Sequence, residues 1–223
     1  MSGKVSDYTM EELSNRLVLC VCNYEANESS LINFPIVRKG GLALYVQVAT
    51  PDSQIIDGMY VSWLNVTNDR MNAWGITKDV LFEIASSSSK KLLSVDITRK
   101  SDNYDFVVIN NKFSYIGSSA LFYEGSEMLD GICEDLSCDN LTLLTLGPNQ
   151  VVVLDKDKYS NNEFEELLGS VREELSVSLP NGETLFPDYF EYSKGSGVIK
   201  DVANNTMFET NVKEESIMKT LHR

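Results

Sequence analysis

The side chains with which this sequence could do chemistry are two pairs of cysteines, a single histidine and a few groups of carboxylates. Cys20 and Cys22 sit in the apolar run Leu17–Cys22 and would share one face of a strand. Cys133 falls on an expected helix and Cys138 just beyond its end. Neither spacing is C-x-x-C, and no histidine lies near either pair. A zinc site needs four converging ligands, so the expectation is buried, reduced, metal-free thiols. The histidine, His222, stands apart from every serine and cysteine that it would have to activate, which removes Ser-His and Cys-His catalysis and histidine-based metal sites. Gly40-Gly41 and Gly195-Ser196-Gly197 match neither the phosphate-cradling loop nor the dinucleotide fingerprint. No residue is therefore assigned a catalytic, cofactor-binding or metal-ligating role, and no cofactor is expected.

The carboxylates leave alternatives open. Asp155-Lys156-Asp157 follows an expected strand and is either a divalent-cation site or a solvated turn. Glu163, Glu165, Glu166, Glu173 and Glu174 decorate the wet face of a helix. Asp188, Tyr189, Phe190, Glu191 and Tyr192 mix acids with aromatics: this stretch is a candidate partner surface, or a set of aromatics packing a terminal strand.

A formal net charge of −14 disfavours a phosphate backbone and an anionic membrane alike. Charge of this sign serves solubility, or docking on a basic partner. The longest apolar runs are far shorter than the roughly 20 residues that span a bilayer. The first residues, Met1–Asp7, have one positive charge with no apolar stretch behind it, unlike a secretory signal. The expected location is the cytoplasm, and nucleic acid is not an expected partner.

The elements that must position these groups follow from local pattern. Thr9-Met10-Glu11-Glu12 and Ser160-Asn161-Asn162-Glu163 are capping boxes. Leu17–Cys22 is a buried strand, Asn23–Pro35 a loop with one helical turn, and Leu42–Val48 and Met59–Val66 are strands. Helices are expected over Thr77–Ser86, ended by the Ser86–Ser89 run, over Gly125–Leu136 and over Asn161–Leu175. Phe106–Ile109 and Tyr115–Tyr123 are expected strands, and Leu141–Leu146 with Val151–Leu154 a hairpin. Strands separated by short turns as often as by helices predict an α+β fold, a mainly antiparallel sheet with helices packed on it. Residues 1–192 are expected to form one domain and 193–223 a polar tail, disordered or carrying a loosely docked helix near Glu214–Leu221. Strand-helix-strand order recurs in 17–97 and 106–192, either as an internal duplication or as ordinary alternation.

Several segments in order resemble an uncharacterised bacterial family, the domain of unknown function 5688. Asn23-Tyr24-Glu25-Ala26-Asn27 with Leu31 and Pro35 is similar to its "NYExNxxLL…P" stretch, and Leu42–Val46 falls at its "DLAIVY"-like strand. Asn65-Val66-Thr67-Asn68 through Met71, Trp74-Gly75-Ile76-Thr77 and Leu81 resemble "ITNxxLxxWGITxxxL". Gly117–Ala120 with Leu129, and Asp188–Tyr192, resemble its "GA…L" and "SDxVYxY" stretches, so that the likeness runs from about Leu17 to Tyr192. Where the family has "LPSSIHE", this chain has Leu144–Gln150 without the serines, histidine or glutamate, and Gly41 replaces the aspartate before the strand. The asparagine-rich N-terminal segment of longer members is also missing, as in a shortened, divergent relative. The resemblance implies the cytoplasm of anaerobic Gram-positive bacteria and their mobile elements as context, and no mechanism.

Two functions fit these readings. One is a non-catalytic protein-interaction or accessory module. The other is a carboxylate- or divalent-metal-dependent enzyme with Asp155, Asp157 or Asp188 at its centre. The missing catalytic constellations and the acidic charge favour the first.

Overall fold

A computed structural model describes residues 8–49, 55–56, 59–60, 63–101, 105–111, 116–145, 147–148, 150–176, 189–212 and 218–219. Its strand pairs are all antiparallel and helices pack against the sheets, the expected α+β class.

The first capping box forms as expected. Thr9 Oγ1 accepts the Glu12 N–H at 3.3 Å, and the Glu12 carboxylate accepts the Thr9 N–H at 2.7 Å, starting α1 (Met10–Leu13). β1 (Leu17–Asn23) follows and is buried over its first five residues. Asn23 then caps α2 (Tyr24–Leu31), its side-chain oxygen accepting the Ala26 N–H at 2.9 Å. The expectation of a loop with one turn is corrected here: an asparagine cap stabilises two full turns although Leu31 is the helix's only buried residue.

β2 (Val37–Lys39) and β3 (Leu42–Val48) form a hairpin. β3 pairs with β1 along its whole length, Leu17 opposite Val48 and Asn23 opposite Leu42. The expected strand Met59–Val66 is divided, with residues 61–62 outside the described set. Its start is β5 (Met59–Tyr60), hairpin-paired with β4 (Ile55–Ile56), and its end is β6 (Leu64–Asn65), which pairs with β3. Thr67 caps α3 (Asn68–Ala73) and Thr77 caps α4 (Lys78–Leu92). The serine run does not end α4. Ser88 and Ser89 are buried, and Ser89 Oγ accepts the Leu19 N–H at 2.8 Å. Serine costs a helix only a few tenths of a kcal/mol, less than about 1 kcal/mol from a buried hydrogen bond.

The second sheet has the order β14-β13-β12-β11-β9-β10-β8-β7. It begins with β7 (Val95–Lys100) and β8 (Phe106–Asn111). Tyr115–Tyr123 is not the expected strand. Residues 112–115 lie outside the described set, and Gly117–Ser119 form a 3₁₀ turn leading into α5 (Ala120–Tyr123). Ser118 Oγ donates to the Gly147 carbonyl at 2.6 Å and Ser119 Oγ to that of Ile116 at 2.7 Å, local bonds that compete with a strand ladder. α6 (Ser126–Leu136), β9 (Asn140–Leu144), β10 (Val151–Asp155) and α7 (Asn161–Ser176) agree with expectation, β9 and β10 as a hairpin. β11 (Phe190–Ser193), β12 (Val198–Asp201), β13 (Thr206–Glu209) and β14 (Met218–Lys219) complete the sheet.

The expected polar tail is thus corrected. Residues 198–209 form a hairpin whose alternate side chains, Ile199 and Phe208 among them, enter the core. Short two-residue alternation among polar residues concealed it. Most of Glu214–Leu221 lies outside the described set, and Met218–Lys219 within it are strand rather than helix.

One face of the long sheet shares a core with the first sheet, α4 and α6; Val18, Phe82, Val107, Leu129 and Phe190 all belong to it. The other face carries a smaller cluster of Leu144, Val152 and Leu154 beneath Leu167 and Leu168 of α7. The two sheets are also tied by polar contacts. Buried Asp201 accepts the Gly41 N–H at 3.1 Å, the Asn204 N–H at 3.0 Å and the Asn204 side-chain amide at 2.9 Å. Gly40 has φ +61°, and a Cβ there would lie 2.5 Å from the Asp201 carboxylate.

Candidate functional site

The candidate partner surface does not form an exposed patch. Phe190 and Tyr192 point into the shared core, each 1% exposed, with the Phe190 ring edge-on to Phe208. Tyr192 donates its hydroxyl to Asp130 at 2.7 Å, and burial together with that bond raises the phenol above its ordinary range. Tyr189 packs edge-on against Phe164 beneath α7. Glu191, on the opposite face from Phe190, receives Lys156 at 2.6 Å and Lys200 at 3.0 Å. Asp188 lies outside the described residues. The second reading of this stretch, aromatics packing a strand, describes its residues 189–192: β11 is interior to the sheet, between β9 and β12.

The other candidates resolve into structural roles. Asp155 Oδ1 accepts the Asp157 N–H at 3.0 Å and Asp157 accepts the Asn140 side chain at 2.8 Å, so this pair closes a turn. Among the described residues no group of three or more His, Cys, Asp or Glu side chains is placed to hold a metal ion. His222 lies outside them.

All four thiols are free. Burial raises Cys20, and raises Cys22 to about 11 and Cys133 to about 12, so they stay protonated near neutrality and are poor nucleophiles. Cys133 and Cys138 meet for a backbone reason. Ser137 adopts the left-handed conformation (φ 56°), Cys138 N–H bonds the Cys133 carbonyl at 3.0 Å, and Ser137 N–H bonds that of Glu134 at 3.1 Å. This double bond is the Schellman helix ending, in which the flanking side chains meet as an apolar contact.

A cleft of about 490 Å³ opens where α6 begins, lined by Glu124, Glu127, Glu209, Ser126 and Thr210 among others. Glu124 binds Lys90 at 3.0 Å, and the Asn211 side-chain amide donates to Glu209. Four carboxyls among the described residues, Glu12, Asp105, Glu163 and Glu191, depart from their ordinary values, and all four are lowered. For Asp105 the causes are hydrogen bonds from Arg99 and then Lys158; for Glu191, the two lysines outweigh the opposing effect of burial.

The feature with the clearest capacity to engage another molecule is backbone rather than side chain. β7 ends the eight-stranded sheet, pairs only with β8 among the described strands, and exposes every residue from Asp96 to Lys100. Ile97 is 43% exposed. Such a strand presents a row of N–H and C=O groups ready to pair with another chain. Its inner end is held firmly. The Arg99 guanidinium forks onto Asp105 at 2.8 and 2.6 Å and donates to the Asp135 carbonyl at the end of α6 at 2.8 Å. The sequence signal for this edge was available as Val95-Asp96-Ile97-Thr98-Arg99-Lys100, alternating and charged, but only pairing topology shows which strand ends a sheet.

No helix among the described residues is long and apolar enough to cross a membrane. No curated protein and no solved structure matches the chain. The model of a family of unknown function, DUF5688, matches residues 3–103, ending just after β7; the likeness noted further on, at 117–129 and 188–192, falls outside that match. Over residues 3–103 the chain is similar to the family of unknown function DUF5688.

Proposed function

We propose that this chain is a non-catalytic protein-interaction module that engages its partner by strand addition at β7. The observation that carries the reading is the open edge: six residues of extended backbone, five of them exposed, at the end of an eight-stranded sheet. Strand addition takes affinity from main-chain hydrogen bonds and specificity from alternate side chains, so it needs no pocket and no catalytic group.

A photo-crosslinking side chain placed at exposed Thr98, with exposed Ala203 as control position, tests this in cells of the source organism. The expected result is a discrete crosslinked product from position 98 that is absent from position 203. Equal labelling at both positions, or metal-dependent turnover of a substrate lost with Asp155→Ala, overturns the reading.

A further inference from the structure

We infer that the occupant of the β7 edge is a second copy of this chain, paired antiparallel about a two-fold axis through Thr98. The inference rests on the preceding reading of β7 as a docking edge and adds the identity and register of the partner.

In an antiparallel pair, residues directly opposite each other are either both hydrogen-bonded or both not. A strand paired with its own copy must therefore place the axis on a residue, not between two. Four placements are central enough to matter for Val95–Lys100. Centring on Asp96 sets that aspartate against itself, and centring on Arg99 sets arginine against arginine. Centring on Ile97 leaves Asp96 facing Thr98 and Arg99 facing Val95. Centring on Thr98 sets Asp96 against Lys100 twice, once on each side, with Thr98 against Thr98 between them. Opposite charges and threonine pairs are the favourable cross-strand combinations, at Cβ separations of about 4.5–5.5 Å.

The side chains are free to do this. Asp96, Thr98 and Lys100 alternate onto one face, facing Asn110, Val108 and Phe106 of β8 in register. Lys100 lies 6.0 Å above the Phe106 ring and makes no ion pair among the described residues; nor does Asp96. Arg99, on the other face, is already neutralised by Asp105 and would oppose Ile97 of the copy without cost in charge. Charges on an edge strand ordinarily deter pairing. Here they flank a central threonine with opposite signs, so a copy meets them as pairs.

The test is sedimentation velocity at an ionic strength of about 0.15 M, which screens the long-range repulsion between two acidic chains. Over about 5 to 500 µM the protein should pass from 25.0 kDa toward twice that mass. Asp96→Lys alone puts like charges opposite each other, as does Lys100→Glu alone, and each should stay monomeric at concentrations where the parent dimerises. An equimolar mixture of the two single variants should recover the dimer, because each supplies what the other lacks. Both positions are exposed, so neither change threatens folding. A parent that stays monomeric throughout, or single variants that dimerise as well as the parent, overturns the inference. A crosslink from position 98 to a different protein overturns it too, while leaving β7 as the docking edge.

Discussion

Two of the strands that end a sheet among the described residues, β1 and β7, could hardly be treated more differently. β1 ends the first sheet, pairing only with β3 among the described strands, yet Leu17–Val21 are at most 3% exposed. α4 packs on it, and Ser89 of that helix accepts the Leu19 N–H. β7 ends the second sheet with no cover among the described residues. The sequences differ accordingly: Leu-Val-Leu-Cys-Val-Cys-Asn where the edge is covered, Val-Asp-Ile-Thr-Arg-Lys where it is open. A covered edge must satisfy its outward amides from within the protein. An open edge can leave them to water, or to another strand, and the contrast is the ground on which β7 is proposed as the binding edge.

One substitution applied to both edges sharpens the contrast most. Leu19→Asp buries a charge with no partner and should prevent folding, at a cost above about 4 kcal/mol. Ile97→Asp should change stability by no more than about 0.5 kcal/mol, the ordinary range for an exposed site. Urea denaturation measures both, and comparable losses would mean that β7 is covered.

Gly40→Ala should come next. Its positive φ and the 2.5 Å approach to the Asp201 carboxylate would force apart the turn that joins the sheets, for about 3 kcal/mol. Ser89→Ala leaves the Leu19 N–H buried without its acceptor and should cost about 2 kcal/mol by the same measurement. A loss below a few tenths would show that the helix does not seal the covered edge through this bond.

A smaller, pH-dependent effect is expected at the root of the open edge. Arg99 and Lys158 hold Asp105 below the usual carboxylate range. A carboxyl lowered on folding adds stability above its unfolded pKa, and loses it as pH falls toward the folded value. Both cations are about half exposed and therefore screened, so Asp105→Asn should cost about 1 kcal/mol at pH 7. That difference should persist down to about pH 5 and vanish in stronger acid. A difference that grew on acidification would contradict the ion-pair origin.

How much of this could be read from sequence depended on whether the cause was local. The two capping boxes, the apolar run of β1, the β9–β10 hairpin and the helical faces of α6 and α7 are set by residues three or four apart, and all were legible. α4 outran its expected end because the acceptor role of Ser89 is created by a strand 70 residues away. β12 and β13 were missed because Ile199 and Phe208 are apolar only at alternate positions, which looks like a tail until β11 lies beside them. The candidate site failed for the same reason. Tyr189–Tyr192 has the composition of a surface patch, and its interior place is decided by β9 on one side and β12 on the other. The proposed docking edge is more nonlocal still, since it is defined by which strand lies last.

Amide hydrogen exchange on the parent protein at about 5 and 500 µM compares the two edges directly, one amide set against the other in a single sample. Exchange across Val95–Lys100 should slow at the higher concentration, while the amides of Leu17–Asn23, paired with β3 and at Leu19 held by Ser89 of α4, should not change. Equal exchange of β7 at both concentrations, or new protection elsewhere with β7 unaltered, would contradict the assignment of β7 as the edge through which this protein binds its own copy.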